Sequence, residues 1–342
     1  MNKGFSASII VPAYNAEATI ERCIQSILSL DPAPLEIIVV NDYSIDNTSK
    51  IACNLGVTVI DLEKNVGAAA ARNMGVKIAK GEFVGFVDAD CVLESDWLGN
   101  CLKNWDGRKY SGLTGPYSKS EDLTELSLLT HQMMRFNQRK ASGPVDSSKS
   151  ANLFTTQSNF CEAGGFPVYT LPWSGKNYYV NEDAEFAFFL IKKTGKPLLW
   201  LYENGVSHFN RPTLRQLFIQ QFIWTEAILL SYCRFPEMLK VGAHYSRRYA
   251  TISVLTCLLL YSSLVFFGLG YSSKWLVGIL PFFGANLTAA QYLNRHLFGF
   301  RLVTCYFYLL FVSTAWLIGL ISGSIKGTIA YCWWTFTRND YL

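Results

Sequence analysis

The chain has 342 residues, half of them apolar, with 30 basic and 26 acidic side chains and a formal charge of +4, which is enough for one large or two ordinary domains with a sizeable core. The basic residues form no stripe interleaved with aromatics, which argues against a nucleic-acid partner, and the nine cysteines contain no Cys-x-x-Cys pair or His cluster, which argues against a zinc site or a disulfide framework.

Met1–Gly4 runs directly into Ser6–Pro12, too short an apolar stretch for a signal peptide, so the polar part of the chain is expected on the cytoplasmic side of a membrane. Strand-like runs recur at Ala7–Val11, Glu36–Val40, Val57–Ile60 and Phe83–Val87, separated by segments of helical period; this is the pattern of an α/β domain with a parallel sheet covered by helices. Asn15 is positioned to cap a first helix whose stripe is Ile20, Cys23, Ile24, Ile27 and Leu28, stopped by Asp31-Pro-Ala-Pro. A second helix is expected from about Asp46 to before Gly56, and a third from about Gly67 to Lys80. Ligands of such sheets bind beyond the carboxyl ends of the strands. The residues there read Pro12-Ala-Tyr14-Asn15, Asn41-Asp42-Tyr43-Ser44 and Asp88-Ala89-Asp90.

Helical patterns follow at Leu123–Arg139, with Leu126, Leu129 and Met133 on one face, at Glu182–Lys193 and at Thr213–Cys233; His208 follows a strand-like Leu198–Tyr202 region. The first of these helices reads as a packed helix with a solvated face or as one lying on a membrane surface. Beyond Glu237 the only acid is Asp340, and three uncharged runs occur at Tyr249–Tyr271, Trp275–Asn294 and Leu302–Ile325. At about 1.5 Å per residue each approaches or crosses a ~30 Å hydrocarbon layer. The middle run contains Pro281, Asn286 and Gln291, so two or three crossings are expected, and Arg247 and Arg248 before the first agree with a cytoplasmic start. The expected division is a catalytic domain over 1–240, with halves of about 1–115 and 116–240, and a membrane anchor over 241–342.

Asp88 and Asp90 stand at the exposed end of a buried strand, where two carboxylates can hold Mg²⁺ or Mn²⁺ against a diphosphate. Asp42 reads either as an acceptor for a base or ribose or as a turn residue, and Arg72 either as a phosphate clamp or as a surface arginine.

The succession Ser8-Ile-Ile-Val-Pro12-Ala-Tyr14-Asn15, Val40-Asn41-Asp42-Tyr-Ser44-Ile-Asp46-Asn-Thr48, Asn65-x-Gly67, Ala71-Arg72-Asn73-x-Gly75 and Gly81-Glu82-x5-Asp88-Ala-Asp90 resembles the family 2 glycosyltransferases of GT-A fold. The order continues with Asn152-Leu-Phe154, Gly164-Gly165-Phe166, Glu182-Asp183 and Val206-Ser-His208, so the resemblance runs from Ser8 to about Trp224. It implies that Pro12, Tyr14, Asn15, Asp42, Arg72, Asp88 and Ala89 surround a UDP- or GDP-sugar. It further implies that Asp90, with Asp88 and His208, binds Mg²⁺ or Mn²⁺, and that Glu182-Asp183 supplies the base for inverting transfer to a hydroxyl. Gly165, Phe166 and Trp224 would face an acceptor, expected to be a lipid-linked or membrane-proximal glycan beside membrane lipids. Asn41 replaces the family's first acid, and Gln220-Gln-Phe-Ile-Trp224 lacks the arginine of polymerising synthases, which favours addition of a single sugar. A Gly-x-Gly-x-x-Gly turn is missing after the first strand, so a dinucleotide oxidoreductase is set aside. A nucleotidyltransferase and a non-catalytic membrane scaffold remain as alternatives.

Overall fold

A computed structural model describes residues 5–136, 138–170, 177–178, 181–210, 213–235, 237–238, 318, 321–322 and 326. The chain divides into two compact units, 1–121 with 139–209, and 122–138 with 210–342; the boundaries read from the sequence fall near 115 and 240.

In the first unit the four runs read as strands are β1 (Ala7–Ala13), β2 (Glu36–Asn41), β3 (Thr58–Asp61) and β4 (Phe83–Phe86). They pair in parallel in the order β3-β2-β1-β4. The short strand β5 (Cys91–Val92) comes next, followed by β6 (Gly112–Thr114), β7 (Tyr117–Ser120), β8 (Gly143–Val145) and β9 (Leu153–Thr156). A hairpin of β10 (Tyr169–Thr170) and β11 (Asn177–Tyr178) precedes β12 (Leu198–Trp200) and β13 (Val206–His208). The main sheet runs β3-β2-β1-β4-β9-β6-β12-β8 and is mainly parallel, with β9 antiparallel to both β4 and β6 and the edge strand β8 antiparallel to β12. A second sheet, β5-β13-β7, joins Cys91 to His208 as cross-strand partners.

The helices of this unit are α1 (Ile20–Leu28), α2 (Thr48–Asn54), α3 (Ala68–Ile78), α4 (Trp97–Asn104), α6 (Gln157–Glu162) and α7 (Glu182–Thr194); α5 (Glu125–Phe136) lies in the second unit. Because successive side chains of a strand point to opposite faces, β1 feeds two cores. Ile9 and Val11 pack with Ile20, Ile24 and Ile27 of α1 and with Phe154 and Trp97, whereas Ile10 packs with Ala71 and Val76 of α3 and with Phe160, Phe166 and Phe186. Burial on both faces explains why the strands read as unbroken apolar runs. Leu28, expected in the α1 stripe, is 51% exposed, since the helix ends there and its last residue turns off the sheet; Ser26 takes the buried place.

In the second unit α8 (Leu214–Arg234) carries Glu226, which is buried and paired with Lys326 at 2.7 Å, with Ser322 donating to the same carboxylate. Among the described residues no helix is long and apolar enough to cross a membrane. The three runs expected to do so lie, apart from the isolated positions 318, 321 and 322, outside the described residues.

Candidate active site

The adjacency of β2, β1 and β4 sets the loops that leave them side by side at the carboxyl edge of the sheet. The first two loops are laced together. The Asn15 amide donates to Ser44 Oγ at 2.9 Å, Asn15 Oδ1 accepts from Ile45 N at 3.0 Å, and the Ala16 amide donates to Thr48 Oγ1 at 2.8 Å. Asn15 (φ 48°) and Tyr43 (φ 63°) both occupy left-handed backbone, as the tight lacing demands. Asn15 therefore does not cap α1, which starts after Thr19 without a side-chain cap. Tyr14 and Tyr43 are each about half exposed on this edge, while Pro12 is buried within β1.

Asp42 is drawn inward. Only 3% exposed, it accepts from the amides of Val66 at 2.6 Å and Gly67 at 2.8 Å, so its carboxylate fixes the turn into α3. The turn reading of Asp42 is what the geometry shows, each oxygen accepting one backbone amide. Asn41 donates to Asp61 at 2.7 Å, tying β2 to β3.

Arg72 is likewise no surface arginine. It lies on α3, 2% exposed, and donates to Asp88 Oδ1 at 2.6 Å and to Glu182 Oε1 at 3.4 Å, with its guanidinium 5.3 Å from the centroid of the Phe166 ring. Two of its nitrogens are engaged with carboxylates, while its buried Nε has no hydrogen-bond partner among the described residues. What it does is bring Asp88, at the end of β4, and the start of α7 together, although 94 residues separate Asp88 from Glu182. Burial opposes the Arg72 charge, but Asp88, Glu182 and Asp183 together hold the guanidinium above its ordinary proton affinity.

Glu182 and Asp183 open α7, with Phe186 and Leu190 buried beneath them. Burial raises Glu182 most, and Asp183 and Asp88 add to it against the lowering effect of Arg72; its pKa reaches about 7. Asp183 is also raised, by burial first, with Lys149, the amide of Ala184 and Arg72 opposing. Phe166, expected to face an acceptor, is instead 2% exposed, wedged among Phe86, Phe160 and Phe186 and lying under Arg72. Its backbone is clamped by Asn73, which accepts from Phe166 N at 2.9 Å and donates to Phe166 O at 2.7 Å. Gly165 (φ 74°) permits this turn; a side chain there would meet Asn73 Oδ1 at 2.8 Å.

Asp90 stands beside His208, with Oδ1 and Nε2 3.6 Å apart, because the Phe209 amide donates to Asp90 O at 2.9 Å and β13 pairs with β5. Ala89, between the two acids, is 7% exposed. A carboxylate oxygen and an imidazole nitrogen at that spacing fit one divalent cation such as Mn²⁺. Asp88 is turned to Arg72, so the pair best placed for a metal is Asp90 with His208. Cys91 Sγ makes a third ligand atom, all three lying within 4.8 Å of one another; burial and the two acids hold this thiol well above its ordinary proton affinity.

Two further side chains join the site without any motif to mark them. The Tyr117 ring packs on His208 at 4.8 Å, and Lys149 Nζ lies 4.9 Å from the Tyr117 ring centroid. Neither lies in a recurring pattern, since β7 and the segment before β9 are placed only by sheet pairing. Trp224 belongs to α8 in the second unit.

Comparison with known proteins fits this geometry. Residues 8–169 match the model of the family described as Glycosyl transferase family 2. Over 93 residues the chain is 43% identical to "Uncharacterized glycosyltransferase EpsJ" of Bacillus subtilis (strain 168), covering 26% of this chain and 27% of that one. Over 102 residues it is 39% identical to chondroitin synthase of Pasteurella multocida (strain Pm70), covering 29% of this chain and 11% of that one. The chain thus spans about a quarter or less of the length of these curated relatives. Among solved structures it is similar to the mannosyltransferase PcManGT of Pyrobaculum calidifontis in complex with GDP-Man and Mn²⁺. The TM-score is 0.55 at 18% identity, over 94% of this chain and 86% of that one. That likeness establishes a GT-A-like α/β fold.

Proposed function

We propose that this chain is an inverting glycosyltransferase that transfers one sugar from a nucleoside diphosphate sugar to a hydroxyl of a membrane-associated glycan, in polysaccharide or glycoconjugate synthesis. The observation that carries the reading is the ion-pair bridge from Asp88 through Arg72 to Glu182, which sets the acids of β4 and α7 around one cleft edge. The family match over 8–169 and the kinship with a chondroitin synthase support transfer of a sugar; the relative crystallised with GDP-Man and Mn²⁺ supports a nucleotide sugar and a divalent ion.

Tyr14 and Tyr43 offer exposed aromatic surface to the donor's base at the carboxyl edge. Asp90 and His208 would hold the divalent ion, which when bound neutralises charge on the departing diphosphate. Asp183 takes the proton of the acceptor hydroxyl. The hydroxyl oxygen forms a bond to the anomeric carbon as the bond from that carbon to the diphosphate oxygen breaks, its electron pair leaving with the nucleoside diphosphate. One base and no enzyme nucleophile give inversion. Burial suits Asp183 to this task, since raising a carboxylate's proton affinity toward the working pH makes it a better base. The absence of Arg from the Gln220–Trp224 stretch supports single addition over polymerisation. The apolar runs beyond 248 support an anchor of two or three spans, with the first unit cytoplasmic.

The test is Asp183→Asn in the full chain, with a panel of UDP- and GDP-sugars and Mn²⁺. Transfer should fall by roughly 10²–10⁴-fold while nucleotide binding persists. Wild-type transfer rates in this variant would overturn the assignment, and release of pyrophosphate instead of nucleoside diphosphate would point to a nucleotidyltransferase.

A further inference from the structure

Lys149 stands outside every motif, yet its backbone is fixed at both sides. Its own amide donates to Thr114 Oγ1 at 3.1 Å, and the preceding Ser148 Oγ donates to the main-chain carbonyl of Asp183 at 2.7 Å. The segment that presents this lysine is therefore pinned to the residue proposed as base. Its ammonium lies over the Tyr117 ring, which itself packs on His208, so the half-buried side chain extends toward the site.

The distribution of charge gives that placement a purpose. Glu182 and Asp88 share the guanidinium of Arg72. Asp183, one residue further on, takes no hydrogen bond from Arg72; among the described residues the donor to its carboxylate is the amide of Ala184 at 2.8 Å. Among the described residues, the charged and titratable groups whose charge acts with that of Asp183 are Glu182 on its own helix, Arg72 from α3, Tyr117 from β7 and Lys149 from the segment before β9. Of the two cations, Arg72 is committed to the other acids.

We propose that Lys149 is a positioning residue for transfer: its ammonium is the counter-charge that keeps the Asp183 carboxylate ionised and ready to accept the hydroxyl proton. The inference rests on the assignment of Asp183 as base. Reciprocal effects support it. Burial lowers the proton affinity of Lys149, with Asp183 as its opposing influence, and Lys149 leads the groups that oppose the rise at Asp183. In a site of reduced dielectric each ion is costly without the other. The proton taken from the acceptor goes to an Asp183 oxygen, which becomes a neutral acid beside the ammonium, and Lys149 itself exchanges no proton.

Two measurements on the full chain test this, and only one needs turnover. Acylation of Lys149 by an amine-reactive acetate ester at about pH 8, read by peptide mass spectrometry against exposed Lys50 as internal reference, should rise in Asp183→Asn, because loss of the carboxylate frees the amine. Unchanged labelling overturns the pairing whether or not the chain is active. In the second, kcat/KM is followed against pH. Lys149→Met should move the acid limb to higher pH, since removing the cation favours protonated Asp183, giving a roughly tenfold loss at the acid end and a smaller one above neutrality. Lys149→Arg should restore the limb, and the KM for the nucleotide sugar should stay near the wild-type value. A loss of equal size at every pH overturns the proposal. If the wild-type chain transfers no sugar, the functional reading fails, and the labelling result alone judges the pairing.

Discussion

At the scale of single residues the site is governed by how three acids share two cations. Arg72, itself buried, holds Asp88 and Glu182 close, their side chains only partly exposed at 29% and 27%. The result at Glu182 is a proton affinity raised from 4.5 to about 7, so the folded chain binds more protons than the unfolded chain between those values. Stability from this group is full below about 4.5 and is lost as pH rises through 7. Glu182→Gln lacks the titration, so its melting temperature relative to wild type should climb between pH 5 and pH 8. The difference in free energy should be on the order of 2–3 kcal/mol, tempered by the exposure of the group. A pH-independent offset in paired thermal melts would contradict the raised proton affinity assigned to Glu182.

At the scale of elements, the site depends on how closely α3 approaches the sheet, because Arg72 reaches Asp88 and Glu182 from that helix. Gly75 is the point of contact: a Cβ there would meet Ile10 Cγ2 at 2.5 Å and Val40 Cγ2 at 3.3 Å, both on fully buried side chains. Gly75→Ala should therefore destabilise the fold by about 1–2 kcal/mol despite alanine's better helix propensity, as urea titration can show. Because a displaced α3 carries Arg72 with it, the variant should also lose transfer out of proportion to its stability. The motif Asn152-Leu-Phe154 has a similar architectural basis. Asn152 accepts from Trp97 Nε1 at 2.9 Å and donates to Asn204 O at 2.8 Å, joining α4, β9 and the loop before β13, while Phe154 stacks on Phe83.

For the whole molecule, the division of composition near 240 is the feature with the largest consequence. An acid-poor tail with three uncharged runs follows a unit with mixed charges. The proposed anchor implies that the full chain stays with membranes through alkaline carbonate and high salt and is released by detergent, and that protease added on the cytoplasmic side cleaves the first unit. Release by carbonate alone would remove the anchor from the proposal. Tethering of this kind raises the local concentration of a membrane-borne acceptor, which is why the acceptor is sought among lipid-linked glycans.

Local periodicity by itself determined the first four strands, α1 to α3, α7 and α8, because burial on one or both faces leaves a signature in neighbouring residues. It also pointed to the carboxyl-edge clusters, since loops following parallel strands converge by topology. Only the tertiary structure decided which side chains of those clusters face the cleft. The chain alone left Asp42 open between a ligand contact and a turn residue, and family resemblance read Phe166 as an acceptor contact; folding turns Asp42 to the start of α3 and packs Phe166 into an aromatic core. Arg72, Lys149 and Tyr117 acquire their places through partners 16 to 110 residues away. Hydrogen bonds and ion pairs of that kind depend on distances in space, and no spacing along a chain encodes them.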